Sequence, residues 1–274
     1  MHRLALLLAL ALAACGATPK STDPVDPPGG GGPADPPAAP QVVATPGEQM
    51  IYRISLHGLD VAEFTVSVGA ATTIDGVDVI PVATHAVSSP LLTLFHKVDD
   101  TLESWIDTRT GRPVQFRAHE VASAQSDAIE ETDVRFAPGK FAVKVLRDGQ
   151  PIDEEQVVKH DIYDVPSMLV FVRGWDAAAG ARTTVDVMRS RTAWRVDFTV
   201  GDHEGVTTSL GDLQAVRYDG EGVRILRSGE IDPDSDRRRF SMWISDDADR
   251  VPVKLVAHTD YGDIRMDLVD YRAE

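Results

Sequence analysis

From Gly47 to the C-terminus, apolar side chains recur at every second position. This period of two limits the fold more than any other feature of the chain. Tyr52, Ile54 and Leu56 alternate with polar neighbours, as do Phe64, Val66 and Val68. The pattern continues through Val114, Phe116 and Ala118, then Val134 and Phe136, then Phe141, Val143 and Val145. It returns in Trp194, Val196, Phe198 and Val200, in Phe240, Met242 and Ile244, and in Val251, Val253, Leu255 and Ala257. Ile264, Met266 and Leu268 close the series. Successive side chains of a strand point to opposite faces, so such runs bury one face and wet the other, as antiparallel sheets do. Asp75-Gly76, Thr110-Gly111, Pro138-Gly139, Asp148-Gly149, Asp219-Gly220 and Tyr261-Gly262 punctuate the runs as turns. The spacing predicts about thirteen to fifteen strands, paired mostly as hairpins. That number strains a flat open sheet. We therefore expect an all-β, mainly antiparallel fold, with a large curved sheet closed or half closed into a barrel. A barrel of this size leaves a lumen that a ligand, a helix or water must fill. Hydrophobic residues make up 43% of the chain, enough for a real core.

One segment, near residues 165–174, departs from the alternation. Met168, Phe171, Val172 and Trp175 fall at i, i+3, i+4 and i+7. Asp164 can cap a helix there, Pro166 suits its first turn and Gly174 can end it. The apolar run is also short enough for a buried strand; the capping residues favour the helix. A lone short helix is unstable in water, so its apolar face needs the concave side of the sheet, as a plug in the lumen or a lid over its mouth. Trp105 and Trp243 each lie on the face opposite the aliphatic residues of their own strand, which gives both faces apolar groups. We take Met168, Phe171, Val172, Trp175, Trp105 and Trp243 as candidate ligand-binding residues.

The N-terminus reads as an address. His2 and Arg3 precede an apolar stretch from Leu4 to Leu12, too short to span a bilayer but suited to a signal peptide. Leu12-Ala13-Ala14-Cys15 resembles the cleavage box of bacterial lipoproteins, in which the cysteine is lipidated and becomes the mature N-terminus. Cys15 is the only cysteine in the chain, so no intramolecular disulfide and no thiolate zinc site can form. Two or three acyl chains on Cys15 would anchor the protein firmly, where a single chain would not. Gly16 follows, and by analogy with enterobacterial sorting the lack of aspartate there points to the outer membrane. Residues 16–46 hold nine of the 17 prolines and no apolar period, so they are expected to form a disordered Pro/Gly-rich tether with a reach of roughly 90–100 Å. This divides the chain into a signal peptide (1–15), a tether (16–46) and one β-rich domain (47–274).

The net charge of −16 argues against nucleic acid and against attachment through a basic surface. Among the eight histidines no pair has the HExxH spacing, and no GxSxG nucleophile elbow occurs. Gly220-Glu221-Gly222 begins like a dinucleotide loop, but Ile225 replaces the third glycine. Glu230, Asp232, Asp234 and Asp236 alternate like the start of a calcium loop, but Arg237 stands where the turn glycine belongs. We read that run, and Asp246-Asp247-Ala248-Asp249, as solvated turns. Glu130-Glu131-Asp133 and Asp153-Glu154-Glu155 read as solvated faces that keep edges soluble. No catalytic residue, metal site or cofactor is expected.

Pro46-Gly47-Glu48 with Tyr52 and Gly58, Asp164 to Arg173, Thr208 to Tyr218, Met242 to Val253 and Gly262 to Tyr271 together resemble the DUF3108 family of bacterial envelope proteins. The Trp-Ile-Ser-Asp-Asp…Pro-Val stretch within Met242–Val253 is the strongest of these motifs. The resemblance implies an exported β-rich domain and transfers no catalytic or binding residue. The expected function is that of a membrane-anchored, non-enzymatic envelope lipoprotein that carries an apolar or amphiphilic ligand in a barrel. The alternatives are a structural or assembly partner in the envelope, with a filled core and an outer interaction surface, and an envelope hydrolase.

Overall fold

The computed structural model describes residues 41–273 except 94–96, 124–125, 138 and 148–149. The signal segment with Cys15, and residues 16–40 of the expected tether, lie outside the described residues. The first half of the chain forms β1 (Gln49–Leu56), β2 (Leu59–Val68), β3 (Thr72–Ile74), β4 (Val77–Ser88), α1 (Pro90–Thr93), β5 (Asp99–Asp107) and β6 (Pro113–Ser123). Next come β7 (Ser126–Ala137), β8 (Lys140–Arg147), β9 (Gln150–Val157), β10 (Ile162–Asp164) and α2 (Val165–Gly174). The remainder supplies β11 (Arg182–Arg189), β12 (Thr192–Thr208), β13 (Gly211–Ile225), β14 (Arg238–Ser245), β15 (Pro252–Thr259) and β16 (Gly262–Arg272).

All sixteen strands belong to one sheet, ordered β10-β11-β12-β13-β14-β15-β16-β1-β2-β4-β5-β6-β7-β8-β9, with β3 paired to β4. The count exceeds the expected range because β3 and β10, three residues each, are too short to show an alternating run. Pairing is antiparallel throughout except between β10 and β11. The hairpins were legible from their turns; the joining of β1 to β16, which brings the two ends of the domain together, was not.

The ladder does not continue between β9 and β10, so the barrel is rolled but not closed by hydrogen-bonded strands. Side chains and one main-chain hydrogen bond bridge the gap instead. Glu154 on β9 accepts from Arg191 in the β11–β12 turn at 2.6 Å and from Arg227 at 2.5 Å. The Val157 amide donates to the Arg227 carbonyl at 3.0 Å. Arg189, at the end of β11, reaches across to Glu120 on β6 and Asp100 on β5, each at 2.7 Å. These contacts correct part of the sequence reading. Glu130 and Glu154 belong to runs expected to be solvated, yet Glu130 is buried and Glu154 faces the seam. The period of two explains it: each sits one residue out of phase with the exposed acids Glu131, Asp153 and Glu155.

The core fills the concave side. Tyr52, Phe116, Phe141, Phe198, Tyr218 and Phe240 are fully buried there. Phe198 and Phe240 meet edge to face at 5.7 Å. Gly220 lies opposite Phe240 in the β13–β14 register, and a Cβ on it would fall 2.2 Å from the ring. The first glycine of the apparent dinucleotide motif thus serves ring packing.

Residues 41–46, assigned to the tether by the expected boundary at Gly47, are among the described residues. Val42 and Ala44 pack against the core, so the last residues of the expected tether act as a strap on the domain.

Candidate functional site

The helix expected between the capping residues is α2, and it runs inside the rolled sheet with all ten residues buried. Asp164 accepts from the Ser167 amide at 2.8 Å, and the Ser167 hydroxyl accepts from the Asp164 amide at 2.9 Å, a reciprocal capping box. The second oxygen of Asp164 accepts from the Ser104 hydroxyl of β5 at 2.7 Å, which fixes the helix start to the opposite wall. Burial pushes the Asp164 carboxyl up to about 6, against the lowering effect of the Ser104 and Ser167 hydrogen bonds.

The other end of α2 is held by a clamp. Arg173 donates to both oxygens of Glu48, at 2.8 and 2.6 Å. It also donates to the carbonyls of Arg250 at 3.0 Å and Asp249 at 2.7 Å. Arg250 returns the contact by donating to the Arg173 carbonyl, and it reaches the Tyr218 hydroxyl at 2.6 Å. Tyr218 in turn donates to the Trp175 carbonyl at 2.8 Å. The orphan carbonyls at the helix end are thus satisfied by the loop between β14 and β15. That loop includes the Asp246–Asp249 run, expected to be only a solvated turn. All four residues of the run are exposed, as a solvated turn requires; Asp247 accepts from the Ser245 hydroxyl and the Asp249 and Arg250 amides.

Met168, Phe171, Val172 and Trp175 come together as expected, but in a packed interior. The Phe171 ring lies 4.9 Å from Tyr163, 6.0 Å from Trp175 and 6.4 Å from Phe198. Aromatic rings therefore surround Phe171 on three sides. Trp105 and Trp243 are not brought to this group or to each other; both sit on the outer face, six strands apart in the sheet order. Arg117 covers Trp105 at 5.4 Å, and Arg217 and Lys254 flank Trp243 at 5.6 and 5.0 Å. The Trp243 indole donates to Glu204 at 2.8 Å. The apolar groups on these outer faces are therefore covered by cations.

Two features escaped the sequence reading. The first is the buried cluster of Asp100, Glu120 and Arg189. Burial raises the Glu120 carboxyl, with Arg189 opposing. Its signal was the alternation itself, since Glu120 shares a face with Phe116 and Ala118. Among the described residues, no group of three His, Cys, Asp or Glu side chains is placed to hold a metal ion.

The second is an open trough of about 570 Å³ on the outer face of β5 to β9. Its floor carries one lateral row across five strands: Glu103, Arg117, Asp133, Lys144 and Asp153 stand in register. Charges alternate along this row, which suits cross-strand neighbours. Arg117 donates to Asp133 at 3.0 Å, and Gln115 donates to the same oxygen at 3.0 Å. Glu103, Lys144 and Asp153 make no ion pair with another described residue. A second row sets Thr101, His119, Glu131, Leu146 and Pro151 side by side, with His119 3.5 Å from Glu131.

These features define a class: a barrel-like, rolled antiparallel sheet with a clamped helix in its interior and a charged trough outside. The chain belongs to the DUF3108 family, described as proteins of unknown function, whose profile matches residues 51–269. Comparison with curated proteins returns no match. Among solved structures, a β-barrel-like protein of the domain of unknown function DUF1849 from Brucella abortus is similar. The TM-score is 0.55 at 11% identity, over 85% of this chain and 99% of that one. A protein from Bacteroides fragilis described as exported, with a YmcC-like fold, matches at TM-score 0.40 and 7% identity, over 86% of this chain and 100% of that one. A protein from Parabacteroides distasonis described as a lipoprotein matches at 0.38 and 9% identity, over 85% and 97%. The Brucella likeness supports the barrel-like fold.

Proposed function

We propose that this chain is a non-enzymatic envelope lipoprotein, held at the outer membrane through acylated Cys15, whose domain works as an interaction module through its outer surface. The observation that carries this reading is the burial of all ten residues of α2 inside the sheet. A carrier of apolar ligands needs interior volume, and Phe171, Tyr163, Trp175 and Phe198 already use it. The clamp at Glu48, Arg173 and Arg250 opposes release of the helix as a lid. Residues 16–40 would serve as the tether that lets the domain stand off the membrane.

Native mass spectrometry of the protein purified from its own envelope, with a fluorescent fatty-acid titration, tests the reading. We expect no co-purifying lipid beyond the covalent anchor and no saturable uptake. Stoichiometric non-covalent lipid would restore the carrier reading. Cys15→Ser should move the protein from the membrane pellet to the soluble envelope fraction; retention in the pellet would remove the anchor.

A further inference from the structure

Resting on the reading that the outer surface is the working one, we infer that the trough over β5 to β9 binds an extended segment of a partner polypeptide with a basic residue at every third position. The geometry sets the spacing. Glu103, Asp133 and Asp153 occupy one row on β5, β7 and β9, each two strands from the next. With neighbouring strands about 4.8 Å apart, these carboxylates repeat at about 9.6 Å. A polyproline-II chain has three residues per turn and a rise of about 3.1 Å, so every third side chain faces the same way at about 9.3 Å. An extended chain laid across the strands therefore meets one carboxylate per turn.

Charge sets the sign. The trough holds the acids Glu103, Glu131, Asp133 and Asp153 against the cations Arg117 and Lys144. The terminal acids of the row, Glu103 and Asp153, have no ion pair among the described residues and are exposed. A polyanion is repelled by this excess. A bare polycation leaves Leu146, 44% exposed beside Pro151 at the β9 end, uncovered. A polypeptide supplies both basic and apolar groups. The two exposed acids at the ends of the row set the length at four strand spacings, about 19 Å, or roughly seven residues of such a chain.

The test uses the full-length acylated protein in detergent micelles and fluorescence anisotropy of labelled heptapeptides. The probe is Lys-Pro-Ala-Lys-Pro-Ala-Lys. One control replaces each lysine by glutamate; another keeps the composition but sets the three lysines side by side. We expect saturable binding of the probe that weakens steeply with salt, no binding of the acidic peptide, and about tenfold weaker binding of the clustered peptide. Glu103→Lys with Asp153→Lys should weaken the probe by about tenfold or more, while Glu63→Lys, on the outer face of β2, should leave it unchanged. If Glu103→Lys with Asp153→Lys lowers the melting temperature, Glu103→Gln with Asp153→Asn replaces it and should still weaken the probe. Equal binding of the clustered peptide, binding of the acidic one, or no effect of the trough substitutions would overturn the inference. Absence of probe binding would overturn it too, and with no fatty-acid uptake would leave the filled-interior reading standing. Fatty-acid uptake would overturn that reading whatever the peptide does.

Discussion

Arg173, in the last turn of α2, and Glu48, just before β1, form a two-pronged ion pair across a separation of 125 residues, and both side chains are almost wholly out of water. Two further Arg173 donors go to the Asp249 and Arg250 carbonyls, and Glu48 also accepts from the Tyr271 hydroxyl at 3.1 Å. One contact thus joins the N-terminal strap, the interior helix, the β14–β15 loop and the last strand. Two charges removed from water are tolerated only when paired this completely. Removing one partner should therefore be costly. Arg173→Met should lower unfolding free energy by about 3–5 kcal/mol, and adding Glu48→Gln should restore part of it. Urea titration of the three variants reads this out; a loss below 1 kcal/mol for Arg173→Met would mean the pair does not hold the helix.

The strap makes a geometric prediction. A Cβ on Gly174 would lie 1.7 Å from the Gln41 carbonyl oxygen. Gly174→Ala cannot be accommodated while the strap is docked, and should destabilise by about 1–3 kcal/mol. In a chain lacking residues 41–46 the same substitution should be neutral or slightly stabilising, because alanine favours a helix over glycine. Additive effects of the deletion and the substitution would show that the strap does not lie against the helix end.

Asp164 should leave a signature in the pH dependence of stability. Its folded pKa, about 6, lies above the ordinary 3.8, so between these values the folded state binds more protons than the unfolded one. Stability from this group is present in full below about pH 4 and is lost as pH rises through about 6, a change of about 3 kcal/mol. Asp164→Asn keeps the cap and removes the titration. Relative to the wild type, the variant should gain stability between pH 4.5 and 7. Parallel profiles would place the ionisation elsewhere.

Phe171→Ala distinguishes a packed interior from a movable lid. Phe171 is 3% exposed and contacts three aromatic rings. Its truncation should cost about 3–5 kcal/mol in denaturant titrations. It should create no saturable fatty-acid uptake in the folded protein. A small cost together with uptake would point to a lid.

By itself the sequence determined the local half of this structure. The alternation in Phe240, Met242 and Ile244 puts those residues in the core and Trp243 outside, because a strand has only two faces. Asp164 starts a helix because its carboxylate caps an orphan amide of the first turn, and Pro166 suits that turn because it has no amide to satisfy. The tertiary structure alone decided the rest. Whether α2 plugs or covers the barrel depends on Ser104, Glu48 and Arg250, which lie 60, 125 and 77 residues from their partners and have no local pattern of their own. The closure of the seam by Glu154, Arg191 and Arg227, and the alignment of Glu103, Asp133 and Asp153 across alternate strands, arise only once the sheet's register exists. Period and capping are properties of neighbouring residues; ion pairing and lateral registry are properties of strands brought together by the fold.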